Sequence, residues 1–147
     1  MSLKKKRMFL FHTMKPLKLG FILSGVYDLL LGIGLLIFME LFLVRLLGAT
    51  KPENLQFPQI SGLFLLVAGY FLLYGSQEVQ IFAFLGFGIG LLRLTFTGIV
   101  LLTWLQTGIE TAYLIFALSD FIMAWVLLVP LLFTEGVSIH QIWRSIQ

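Results

Sequence analysis

Asp28, Arg93 and Asp120 lie in stretches that are otherwise apolar enough to cross a bilayer. A charge in hydrocarbon costs about 2.5–3.5 kcal/mol on insertion scales, so it is normally paired or put to use. Two carboxylates and one guanidinium suit three roles. They could staple helices in register, carry a proton, or hold the polar end of a lipophilic ligand such as a quinone. Arginine keeps its proton, so one negative charge is left in excess, and burial beside a like charge is expected to leave one aspartate protonated. Tyr27, Thr97 and Ser119, with Thr95 and Tyr113, are hydroxyls spaced to complete a polar network around the trio.

No other constellation competes with it. The chain has no Cys, which excludes thiol catalysis, disulfides and cysteine-held metals. His12 and His140 lie outside every apolar stretch, so an intramembrane bis-His haem is excluded, and neither a metal nor a cofactor is expected. Gly86-Phe87-Gly88-Ile89-Gly90 sits inside an apolar stretch rather than after a strand, so it is not a dinucleotide fingerprint. Glu40, Glu53 and Glu110 read as solvated or Arg45-paired surface acids. The absence of a catalytic set favours a non-enzymatic protein.

The elements that must position the trio follow from composition. Of 147 residues, 59% are hydrophobic and 12% charged, and the mean hydropathy is +1.01. A soluble domain is about a quarter charged. Four apolar segments, 19–44, 57–75, 79–105 and 111–133, each meet the roughly 20 residues a spanning helix needs. Helices are expected because hydrocarbon offers backbone groups no partner. The fold class is all-α: an integral membrane four-helix bundle.

Charge sets its direction. Segment 1–18 carries Lys4, Lys5, Lys6, Arg7, Lys15 and Lys18, against Arg45 and Lys51 in the first external loop. The positive-inside rule puts both termini in the cytoplasm. The basic residues are expected to touch anionic lipid at the membrane surface. In the tail, 134–147, Ser138 caps a short amphipathic interfacial helix carrying Ile139, Ile142, Trp143 and Ile146 on one face, with Trp143 as its anchor. Residues 40–47 either extend a long first helix or lie along the outer interface after it ends near Glu40. Pro58 suits the first turn of the second helix, and Pro130 should kink the fourth helix near its inner end, freeing the Val126 carbonyl.

Helical spacing orients the charges. Ser24, Gly25, Asp28 and Gly32 share one stripe; so do Gly86, Gly90, Arg93 and Thr97, and so do Ala117, Asp120 and Ala124. Small residues mark faces where helices approach, so each charge points inward. At ~1.5 Å per residue, Arg93 and Asp120 lie ~18 and ~20 Å from the cytoplasmic side, and Asp28 ~13 Å. An Arg93–Asp120 ion pair is predicted, with Asp28 as second or alternate partner. The repeat Gly-Ile-Gly-Leu-Leu, at 32–36 and 88–92, reads as coincidence in a chain rich in these residues.

Asp28-Leu29-Leu30-Leu31-Gly32, the turn Gly75-Ser76-Gln77-Glu78-Val79-Gln80, Arg93, and Asp120 with Ala124 together resemble small bacterial four-helix membrane proteins of the broad DoxX-like kind, over residues 17–133. The resemblance implies a multi-pass protein of the bacterial cytoplasmic (inner) membrane. Some members are accessory subunits of quinone-linked oxidoreductases. The expectation is a non-catalytic accessory or structural subunit of a membrane assembly, a quinone-linked respiratory one among the candidates. The alternatives are a binder or carrier of a quinone or lipid at Arg93, Asp120 and Asp28, and a small transporter or proton path. Expected partners are the lipid bilayer and other membrane subunits or a second copy of the chain, not nucleic acid.

Overall fold

A computed structural model describes residues 3–51, 54, 56–108 and 110–133, with side chains from Lys15 onward. Four long helices follow one another: α1 (Leu3–Leu36), α2 (Gln56–Gly75), α3 (Ala83–Thr107) and α4 (Thr111–Phe133). A short π-helical segment, Glu40–Leu46, joins α1 to α2. Lys15–Leu36 of α1 and the whole of α2, α3 and α4 are long and apolar enough to cross a membrane. No strand occurs among the described residues. The second and fourth expected spans match α2 and α4 to within a residue. The amphipathic tail with Trp143, and the side chains of Lys4, Lys5, Lys6 and Arg7, lie outside what is described. Lys15 and Lys18 are exposed on α1.

Two boundaries differ from expectation. The first span stops at Leu36, well short of 44. Beyond it the chain folds inward. Phe42 packs over Gly34 and tilts against Phe116, while Leu43 is buried beside Leu35, Met39, Ala49 and Ala112. Gly48, at φ +67°, reverses the chain as a residue with a Cβ rarely can. The hydropathy of 40–47 therefore reflects packing onto the end of the helices rather than a continued span. The third span begins at Ala83, not 79. Residues 76–82 are a hydrogen-bonded turn, with Ser76 N–H to Leu72 O at 2.9 Å and Ile81 N–H to Glu78 O at 3.0 Å. Val79 looked like helix because it is apolar, but it is buried in a core from the turn.

Sequential helices run antiparallel. Against α1, Gly25 meets Gly69 of α2 and Gly32 meets Gly62. A Cβ on Gly32 would lie 2.7 Å from the Gly62 carbonyl oxygen, and one on Gly69 would lie 2.8 Å from that of Gly25. These glycines let the two backbones touch. On α3, by contrast, Gly86 and Gly90 are notches filled by the side chains of Phe21 and Leu128. The repeat has no structural counterpart: Gly32 abuts α2, whereas Gly88 faces open space. Helix α4 continues through Pro130, and the Val126 carbonyl, which Pro130 cannot serve, faces Gly20 of α1.

Helix α1 packs along α2 and against α4, and α3 packs along α4, but α2 and α3 scarcely touch. We call the end where α1 and α3 finish the upper end. At the lower end Leu17, Phe21, Leu72, Val79, Ala83, Leu127 and Leu131 form a core. Large apolar side chains such as Leu30, Ile37, Leu102 and Leu105 cover the outer faces. An outward-apolar surface of this extent suits lipid rather than water.

Candidate functional site

The three intramembrane charges meet at one point. Arg93 Nη2 donates to Asp28 Oδ1 at 2.5 Å, and Arg93 Nη1 donates to Asp120 Oδ1 at 2.8 Å. The predicted Arg93–Asp120 pair is present, and Asp28 is a simultaneous partner rather than an alternate one. A planar guanidinium with two terminal nitrogens bridges α1 and α4 from α3, where an ammonium would offer a single point. The Asp28 and Arg93 side chains are 1% and 5% exposed, and that of Asp120 is 18% exposed.

The surrounding hydroxyls divide into two groups. Tyr27 Oη lies 2.7 Å from Ser119 Oγ and donates to Asp120 Oδ1 at 3.2 Å, so both belong to the network as expected. The Tyr27 ring also lies beneath the guanidinium, 5.0 Å from its carbon, in a cation–π arrangement. Thr97 contacts neither carboxylate. Its hydroxyl shares one proton between the Arg93 carbonyl at 2.9 Å and the Ala117 carbonyl at 3.0 Å, which ties α3 to α4 beside the trio. Thr95 bonds the Leu91 carbonyl from an exposed position, away from the site. Among the described residues, Arg93 Nε and Ser24 Oγ are buried without a hydrogen-bond partner.

Above the trio lies a cavity of about 400 Å³. Its floor is Asp28, Arg93 and Asp120, and α2 and α3 flank it along the seam where they fail to pack. The wall is mostly apolar, with Phe57 and Phe64 on α2, Phe96 on α3, and Tyr113 and Phe116 on α4. At its upper edge the Thr50 N–H donates to Glu110 Oε2 at 3.1 Å, and the Thr50 hydroxyl donates to the other oxygen of that carboxylate. This contact ties the first loop to the start of α4. Glu40 pairs with Lys51 at 3.8 Å, not with Arg45, since the chain reversal at Gly48 brings Lys51 back past it.

Sequence reasoning found the charges but not the cavity. Helical stripes locate residues on one helix, whereas a cavity depends on two helices failing to meet. Ala49, Ala68 and Ala112 line it, and small residues there were the available signal.

No known protein family, curated protein or solved structure matches the chain.

Proposed function

We propose that the protein binds a lipophilic small molecule in the upper cavity, with the polar end of the ligand at Asp28, Arg93 and Asp120. One observation carries this reading: the apolar cavity of about 400 Å³ ends on a buried ion cluster. Ligand sites are typically cavities of about 300–1,000 Å³ with mainly apolar walls and a few placed polar groups. A staple needs the charges but has no use for the cavity. The loose seam between α2 and α3 supplies a side entrance from the bilayer, which suits a ligand that arrives through lipid.

The orientation in this proposal rests on the basic N-terminal segment, which puts both termini in the cytoplasm and the cavity mouth in the outer half of the bilayer. The resemblance to DoxX-like proteins favours the cytoplasmic membrane of a bacterium. An accessory role in a larger assembly is supported by small size and the lack of a catalytic set. The cavity is a positive feature, so binding is the leading reading.

Native mass spectrometry of protein purified gently from its own membranes tests this. A single defined lipophile should travel with the chain and be lost from Ala68→Phe, which fills the wall. A chain carrying only another polypeptide, with no small molecule, would overturn the binding reading in favour of the accessory one.

A further inference from the structure

The chemical class of the ligand follows from the charges in the cavity, granted the reading above that a lipophile occupies it. We propose that the site takes a lipophilic monocation, such as an alkylammonium amphiphile, whose charge rests against Oδ2 of Asp120. Among the described residues, the charged ones lining the cavity are Asp28, Arg93 and Asp120, so with both carboxylates ionised its floor carries one excess negative charge. Both terminal nitrogens of Arg93 already donate to carboxylates, and an anionic head group would face a net negative site.

Asp120 is the member left open. Arg93 and Tyr27 both reach its Oδ1, and no hydrogen bond among the described residues reaches Oδ2. Its side chain is 18% exposed, whereas that of Asp28 is 1% exposed and closed by Arg93. A carboxylate without a counter-charge is costly in an apolar setting. A monocation brings the floor to two charges of each sign. The wall favours the same ligand: Phe57, Phe64, Phe96, Phe116 and Tyr113 offer aromatic faces, which attract cations and stabilise anions poorly.

A proton is the other cation that can neutralise Asp120. Proton and ligand compete for that carboxylate, so a bound cation releases a proton to solvent and affinity falls as pH falls. The groups facing Asp120 are Asp28 and Tyr27 from α1, Arg93 from α3, and Ser119 on its own helix; α2 contributes no charged side chain to the cavity.

The test uses the full chain in nanodiscs of zwitterionic lipid and three probes with one tail: decyltrimethylammonium, decanol and decanoate. Calorimetry should find the cation bound at least about tenfold more tightly than either other probe, a difference of about 1.4 kcal/mol. Asp120→Asn should bring the cation down to the level of decanol. Ala68→Phe, on a helix with no member of the trio, should weaken all three. If decanol or decanoate binds as well as the cation, or Asp120→Asn leaves the cation unaffected, the charge assignment is wrong while the lipophile reading stands. If no probe binds saturably, both fail. Should Asp120→Asn not fold, the wild-type protein decides: cation affinity that does not change with pH would sink the proposal.

Discussion

The lower and upper halves of the molecule use small residues to opposite ends. Below the ion cluster, gaps left by two glycines of α3 are filled from across the interface: Phe21 covers Gly86 and Leu128 covers Gly90. Leu17, Phe21, Leu72 and Leu127 are fully buried there. Above the cluster, Ala49 and Ala112 border the cavity that the helices leave open. Both halves are built from the same apolar residue types, so composition does not separate them. What separates them is whether a neighbouring helix sends in a complementary side chain. Unfilled volume forfeits dispersion contacts. The ion cluster forms the boundary between the two halves.

The largest expected effect comes from breaking that boundary. Arg93→Met leaves two buried carboxylates without a counter-charge, and losing one partner of a buried ion pair costs about 3–5 kcal/mol. Unfolding in mild detergent with a denaturant titration measures it. Combining Arg93→Met with Asp28→Asn and Asp120→Asn removes the uncompensated charge, so most of the loss should return. A single substitution that costs nothing would mean that water reaches the cluster and that it does not divide the halves.

Nearly as large is the effect of making the lower half resemble the upper. Phe21→Ala opens a cavity over Gly86 and should cost about 3–5 kcal/mol by the same measurement. Ala68→Leu does the converse, extending a larger side chain from a half-buried position into the upper cavity. It should leave stability unchanged or raise it, while weakening retention of any lipophile. If both substitutions destabilise equally, the upper half is as tightly packed as the lower and the comparison fails.

The sequence disclosed these halves unequally. The spans were legible because bilayer thickness imposes a length and a hydropathy on each. Asp28, Arg93 and Asp120 were legible because charge is rare in such segments, and counting rise per residue put Arg93 level with Asp120. That count also placed Asp28 a turn lower, so the sequence left it a second or alternate partner where the guanidinium holds both carboxylates at once. Gly62 and Gly69 escaped notice although they complete the seam with Gly32 and Gly25. They share no stripe with a charge, and nothing in α2 alone shows which glycines meet a backbone. Thr97 was placed in the polar network for its stripe, yet its hydroxyl turns to two carbonyls. A helix stripe fixes which face a residue occupies, not which partner its side chain selects.

The next effect is smaller and concerns the seam shared by both halves. Gly32→Ala puts a Cβ 2.7 Å from the Gly62 carbonyl oxygen, which is backbone and cannot rotate away. Overpacking of this kind costs about 1–3 kcal/mol. Gly88→Ala, in the repeated motif but facing open space, should be neutral or slightly stabilising because Ala is the better helix former. Equal effects at the two positions would show that glycine matters for helix propensity here and not for the approach of α1 to α2.

Tyr27→Phe is the mildest test and the most selective. It removes the hydroxyl that contacts Ser119 and Asp120 but keeps the ring beneath Arg93. One hydrogen bond to a charged group is worth about 1.5–3 kcal/mol and a neutral one about 0.5–1.5 kcal/mol. The 3.2 Å separation from Asp120 is long for an O–H donor, so the loss should fall near the lower of these ranges. Tyr27→Leu also removes the ring, and the further loss should be about 0.5–2 kcal/mol. The order of the two variants shows what keeps the floor of the cavity in place. If Tyr27→Phe already costs as much as Tyr27→Leu, the hydroxyl holds Asp120 and the ring is only filler. If Tyr27→Phe is silent, Arg93 alone orients Asp120, and the open oxygen of that carboxylate is set by the same guanidinium that closes off the lower half.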